Sequence, residues 1–404
     1  MAVTAVVKEQ IVSVDAKSLL ANNTAVAAAC QAVSWAAAST GDVLTVQSNG
    51  TVAFAAVSAG IGGSTGSTDN LVLRADGAGG ATLQSSGWLI PDIYTSSPNA
   101  TVNHLSFQAT GSTTNVSVSI VPKGTGAFSL AVPDGTSAGG NARGANAIDL
   151  QTSRSAAANV ASGTNSIVVG SNNRASAETA IAIGRDNVSS DVYATCLGYL
   201  NTCTSYYAGA LGGFNTASGV GAWVFGFNST AAGDYAFVAG TGNTGSAANV
   251  VATGRASVAD RLGMQSHSAG RFAANGDCQR VAFILRNKTT TNSAVTLFLD
   301  GSSARLTIPS GKGLSADVMI KGFKSDGSVG ARFRRIIDIK NVGGTTTLET
   351  TPDVIGTDYN PSGCSLSITA DNTNDALDIA PGGVQNETWR WTAVVYGIEI
   401  AYGT

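Results

Sequence analysis

Seven glycines stand 14 residues apart, at Gly170, Gly184, Gly198, Gly212, Gly226, Gly240 and Gly254. They mark seven units without insertion, from TNSIVVGSNNRASA at 164–177 to ANVVATGRASVADR at 248–261. Spacing held this strictly means that one short structural unit is stacked on itself. Each unit reads strand, turn, strand. One unit per coil gives a thin parallel roll, and seven coils at about 4.8 Å per rung rise roughly 34 Å.

The residues inside the unit assign its positions. Position three is Ala in five units (Ala180, Ala194, Ala208, Ala222, Ala236), and position six is mostly large and apolar (Val169, Ile183, Leu197, Leu211, Phe225). Gly at position seven permits a positive φ. Position ten is Asn in five units (Asn173, Asn187, Asn201, Asn215, Asn243). Asn tolerates left-handed backbone and bonds its own main chain at turns, which suits a corner. Position twelve is always small or compact, from Ala175 to Ala259. Positions three and five share one face of the first strand, and four and six share the other. Both faces are largely apolar, yet a roll has only one inside. The second face therefore needs another surface, and neighbouring chains are its natural source.

The phrases Asn165–Gly170 (NSIVVG), Ala180–Gly184 (AIAIG) and Asn215–Gly219 (NTASG) resemble the head repeats of YadA-like trimeric adhesins. That resemblance covers 164–261 and implies a left-handed β-roll in a homotrimer. Gly209 and Trp223 depart from it, standing where a branched aliphatic is usual.

Regions 1–58, 59–68, 69–163, 262–275 and 276–404 flank the roll. Within 24–39, Val26, Cys30, Val33 and Ala37 form an apolar stripe at helical spacing. Asn49-Gly50 between two alternating runs signals a hairpin, and GIGGSTG at 60–66 has the composition of a flexible linker. NVSVSIVPKGTGAFSL and neighbouring phrases in 69–163 resemble shaft and neck segments of phage tail-fibre proteins. Residues 262–275 connect the roll to the last region. Runs such as QRVAFILRN and TWRWTAVVYGIEIAYG, split by Asp-Gly and Gly-Gly turns, predict a β-sandwich or jelly-roll tip over 276–404. That tip resembles C-terminal domains of phage tail proteins. The fold class expected is thus all-β.

Composition excludes several classes. Charged residues are 12 % against roughly 25 % in ordinary domains, but 43 % hydrophobic content argues against disorder. A net charge of −3 offers no field for nucleic acid. Five scattered cysteines do not form a disulfide framework. No signal-peptide segment and no run of about 18 apolar residues is seen, so neither secretion nor membrane insertion is expected. A cellular adhesin would need a secretion signal and an anchoring barrel.

Catalytic chemistry is hard to find. The two histidines, His104 and His267, lie in different regions, and no Ser-His-Asp set or zinc site is visible. Three copies of His267 could meet on a trimer axis and bind a metal; a solvated linker residue is the weightier reading. Asp371, Asn374, Asp375 and Asp378 are the weak candidates for a calcium site, against a polar turn between strands. Residues 192–233 contain no Asp, Glu, Lys or Arg, which makes the roll a poor place for the paired carboxylates of glycan hydrolysis. Neither an enzyme nor a cofactor is expected.

The same uncharged stretch is rich in rings. Trp223 and Phe225, at positions four and six, read as filling seams between subunits. Tyr199, Phe214 and Phe227, at or beside the turn, are receptor-binding candidates, with seam filling an equal reading. Trp389 and Trp391 share one side of a strand and read as core. The expectation is a virion fibre, on tail or capsid, made in the host cytoplasm and binding a host-surface receptor, a glycan or a protein. Its N-terminal region would contact other virion proteins and 276–404 would carry recognition. The alternatives are a purely architectural decoration fibre and a glycan-cleaving tailspike.

Overall fold

The computed structural model describes residue 115, residues 119–402, and the backbone of short strands between residues 18 and 109. All regular structure among the described residues is β. The chain divides into two compact units, Met1–Ile120 and Val121–Thr404.

In the first unit, Ser18–Ala21 pairs antiparallel with Gln31–Ser34. This corrects the helical reading of 24–39 at Gln31–Ser34. Two turns of apolar stripe do not offset the cost of nucleating a helix, and pairing partners override weak propensity. Val26, Cys30 and Ala37 lie outside the described residues. Asp42–Val46 and Val52–Ala56 form the expected hairpin, closing at the Val46–Val52 pair. Asn49-Gly50, the 60–66 linker and His104 lie outside the described residues. Leu71–Asp76, Thr82–Leu89 and Gln108–Ala109 make a three-stranded sheet.

The second unit contains the parallel solenoid of about seven coils. Position-four-to-eight strands stack in register from Ile167–Ser171 to Val251–Arg255. Two-residue strands at positions eleven and twelve form a second, seven-stranded sheet. Positions three, five, ten and twelve point inward; Ala180, Ala182, Ala208, Cys196 and Ala217 are all fully buried. The roll is this thin because only small side chains fill it.

Two features hold the coils together. Asn at position ten is not the left-handed residue that its corner location suggested. Positive φ falls instead on position two (54° to 61°) and position nine (50° to 66°). The buried Asn side chains form a ladder. Asn187, Asn201 and Asn215 each donate a backbone N–H to the Oδ1 of the Asn one coil earlier, at 2.9–3.1 Å. Each Nδ2 donates to its own position-six carbonyl and to a glycine carbonyl of the next coil, as Asn201 does to Leu197 O at 3.0 Å and Gly212 O at 2.9 Å. Those carbonyls belong to the position-seven glycines, whose φ of 89° to 142° no L-side chain readily adopts. A Cβ on Gly212 would lie 2.0 Å from Gly226 O.

The sheet does not end with the repeats. Ile148–Gln151 precedes them in parallel, and Gln265–Ser268 follows in register with Val251–Gly254. Cys278–Thr289 then pairs antiparallel with Gln265–Ser268 and begins the C-terminal part of the same sixteen-stranded sheet. The order continues through Trp389–Ala401, Lys312–Lys324, Gly330–Val342 and Thr345–Leu348. A separate sheet of Leu306–Thr307, Ala376–Gly382 and Ser365–Asp371 adds Leu306, Leu377 and Ile379 to the core. Phe283, Leu285, Val318, Ile320, Trp389 and Trp391 belong to that core, which is continuous with the interior of the roll. Trp389 and Trp391 stack at 5.6 Å, and Gly322 leaves the space that the Trp391 ring fills.

Polar side chains close both ends of the roll. Gln151 accepts from Asn173 N at 3.0 Å and donates to Asn173 O at 3.1 Å, so it occupies the rung below the Asn ladder. At the other end Gln279 accepts from Val258 N and donates to Val258 O, both at 2.9 Å. The Gln279 amide also donates to buried Glu399, which pairs with Arg261 and, at 2.8 Å, with Lys312. These contacts fasten the last coil to the C-terminal sheet.

Candidate functional site

With positions three and five inside, positions four and six face outward. Ile167, Ile181, Ile183 and Leu197 are half-buried there, and Trp223, Phe225 and Phe237 are exposed. The same face runs on without a break. Val251 is in register with Gln265, then Ala282, then Tyr396; Thr253 is in register with His267, then Arg280, then Ile398. Tyr396, Ile398, Ile400 and Ile284 are exposed on that side of the C-terminal sheet. One long sheet thus carries apolar side chains on its outer face in the roll and again in the C-terminal part, with Gln265, His267 and Arg280 between them. Trp223 lies flat over Gly209, where a Cβ would come within 2.3 Å of the ring. The two departures from the repeat are therefore one complementary pair. Trp223 and Phe225, read from the sequence as filling a seam, lie on this outer stripe.

Beside the stripe, at the corner of positions eight and nine, the structure brings together all three receptor-binding candidates. Tyr199 and Phe214 meet edge to face at 5.1 Å, and Phe214 and Phe227 at 5.3 Å. The rings are 39 %, 44 % and 51 % exposed, so they form an open ladder rather than a core. Its step is close to the coil rise of about 4.8 Å. The Arg185 guanidinium caps one end, 5.6 Å from the Tyr199 centroid.

The opposite corner holds a second group. Tyr193 and Tyr207 stack at 4.9 Å, and Tyr206 packs against both edge to face. Hydrogen bonding with Tyr207 holds the Tyr206 phenol above its ordinary range. Tyr193, Tyr207 and Tyr235 sit at position two with positive φ, where the other coils carry Asn165, Thr179, Gly221 and Asn249. A bulky residue costs roughly 1–2 kcal/mol there. The signal was present in the sequence as Tyr at a position that the other coils fill with Asn, Gly or Thr. It was not legible until the left-handed positions were known.

The other sequence candidates are not assembled into a site. Asp371 accepts from Thr373 N, Asn374 N and Asn374 Nδ2 and pairs with Arg305 at 3.1 Å. Hydrogen bonding by Asn374 holds its carboxyl below the usual range. Asp375 accepts from Thr346 at 2.8 Å. This is a polar turn between Ser365–Asp371 and Ala376–Gly382, and among the described residues no cluster of three metal-ligating side chains occurs. His267 lies within a strand of the main sheet, its Nδ1 3.0 Å from Thr253 Oγ1. Cys196 and Cys203 lie at positions five and twelve of one coil, inside the roll; hydrogen bonding between them and burial push the Cys203 thiol up, so it stays protonated.

No family model matches the chain, and no curated protein is significantly similar to it. Among solved structures, it is similar to the tailspike protein gp49 of Acinetobacter baumannii bacteriophage Fri1, a capsular polysaccharide depolymerase. The identity is 10 % and the TM-score 0.20, over 62 % of this chain and 59 % of that one. The chain thus matches less than two thirds of that protein's length. That neighbour is an enzyme, and on this finding the expectation of a non-enzymatic chain is withdrawn. At this level of likeness, neither a reaction nor a substrate is transferred.

Proposed function

We propose that the chain is the subunit of a trimeric virion fibre that attaches to a glycan on a host-cell surface. The observation that carries the reading is the ladder of Tyr199, Phe214 and Phe227 on the outside of the roll, in a stretch, 192–233, that has no charged residue. Ring faces bind the apolar faces of sugars, and a regular ladder meets a repeating polymer in register. The outward apolar stripe supports the trimer, because exposed apolar area of this extent marks an association surface. Three copies place three ladders around one axis, so weak individual sites add through avidity. In this reading the N-terminal region meets other virion proteins, and residues 276–404 form a β-sandwich tip that adds to recognition.

Binding of the full chain to susceptible cells tests the proposal, read by fluorescence against the variant Tyr199→Ala/Phe214→Ala/Phe227→Ala. The side chains are exposed, so the variant should keep its melting temperature. A loss of binding of about tenfold or more per removed stacking contact pair is expected. Unchanged binding, with the fold intact, would refute the ladder as the attachment surface.

A further inference from the structure

The C-terminal sheet carries a cleft of about 610 Å³ at its far margin, away from the roll. Residues 353–359 make it. Asp353–Val354 pairs with the strand Gly330–Val342, and Tyr359 bonds Arg332 main chain at 2.7 and 3.1 Å. Between these anchors Ile355–Gly356–Thr357 arches over the sheet, turning at Gly356 with φ 72°. Met319 and Val394 lie beneath the arch.

The charges in the cleft are unbalanced. Lys321 and Arg332 are directly opposite each other on adjacent strands, both exposed on the cleft side. Like charges so placed repel and weaken a sheet. Of the nearby carboxylates, exposed Asp353 at the cleft margin has no ion pair among the described residues, and the other two are committed. Asp317 takes Arg334 through contacts of 2.6 to 3.1 Å, and Asp358 takes both Nη atoms of Arg335 at 2.8 Å. Arg332 has only a 3.5 Å contact to Thr357 O, and the Lys321 ammonium sits 4.2 Å from the Phe323 ring centroid. No ion pair holds either cation among the described residues. With Asp353 counted, the region keeps an excess of one positive charge, in a chain whose net charge is −3.

The geometry points to this cleft as a binding site for a carboxylated sugar residue within a surface polysaccharide. The carboxylate accepts from the Arg332 guanidinium and the Lys321 ammonium, which removes their repulsion. The pyranose ring lies on Met319, Val394 and Ile355. A neutral sugar would leave the positive excess uncompensated, so the site selects for charge. This rests on the reading of the chain as a glycan-attaching fibre, but it uses different chemistry from the ring ladder.

The test is calorimetric titration of the full chain with three carboxylated probes: trigalacturonate, a hyaluronan tetrasaccharide and α2,8-linked di-N-acetylneuraminate. Each is paired with its carboxyl methyl ester. At least one acid should bind about tenfold more tightly than its ester, and more weakly as salt rises. Lys321→Ala/Arg332→Ala should remove that preference at unchanged melting temperature, while Tyr199→Ala/Phe214→Ala should keep it. Equal affinity for acid and ester, lost in the ring variant, would overturn this assignment and leave glycan attachment standing. An acid preference that survives Lys321→Ala/Arg332→Ala would also overturn it. No binding of any probe would count against both.

Discussion

Asn201 offers the sharpest perturbation of the roll. Its Nδ2 donates to Asn187 Oδ1 at 3.1 Å, Leu197 O at 3.0 Å and Gly212 O at 2.9 Å, and its Oδ1 accepts from Asn215 N at 3.1 Å. Asn201→Ala removes all four and leaves Leu197 O, Gly212 O and Asn215 N without this partner inside a dry interior. At roughly 1–3 kcal/mol for each of the three stranded groups, the loss is about 3–9 kcal/mol per chain. The fifth coil contains a natural control. Ser229 stands at the same position, accepts from Asn243 N at 3.1 Å and donates to Phe227 O at 3.1 Å. Asn201→Ser should therefore keep the rung to Asn215 and cost roughly half as much. Thermal unfolding followed by circular dichroism reads the order wild type, Ser, Ala, with the Ala variant lower by on the order of 10 °C. An Ala variant that melts with the Ser variant would refute the ladder as the element that fixes coil register.

Three further outcomes follow from the same geometry. Ala208→Glu places an unpaired charge in a fully buried site and should abolish folding of the roll, which loss of the cooperative melt would show; an unchanged melting temperature would place position three outside the core. Gly212→Ala must both hold a φ of 114° and move Gly226 O, so it should be far more damaging than Ala at exposed Gly263, measured as soluble yield and melting temperature. Hydrogen bonding by Arg335 depresses the Asp358 carboxyl, so its stabilising effect is present above the unfolded value of about 3.9 and is lost as pH falls through the lower folded value. Asp358→Asn should therefore be less stable than wild type at pH 7 and equal to it well below pH 3, as read by denaturant midpoints.

The repeat was legible because its constraints are local. A glycine every 14 residues reports a close approach of the next coil's glycine carbonyl that leaves no room for a Cβ, and the small residues at positions three and twelve report a thin interior. The core role of Trp389 and Trp391 followed from their alternation with Arg390. Other features depended on contacts that spacing does not reveal. Asn at position ten was read as a corner residue because its turn location was visible and its partners one coil away were not. Gln151 and Gln279 close the ladders through bonds spanning 22 and 21 residues, and Glu399 meets Arg261 across 138. Tyr199, Phe214 and Phe227 could be singled out in the sequence because each falls beside the same turn of its coil; their edge-to-face contacts from coil to coil could not. The cleft was not legible, because Lys321 and Arg332 become neighbours only when two long strands pair.

The trimer is the claim on which the outward stripe, the ladders and their avidity all depend. Multi-angle light scattering of the purified full chain tests it directly. The account predicts a mass three times 40.4 kDa, falling to a single chain when Ile398→Asp and Leu197→Asp place charges on the stripe. A wild-type chain that scatters as a stable 40.4 kDa monomer would contradict it.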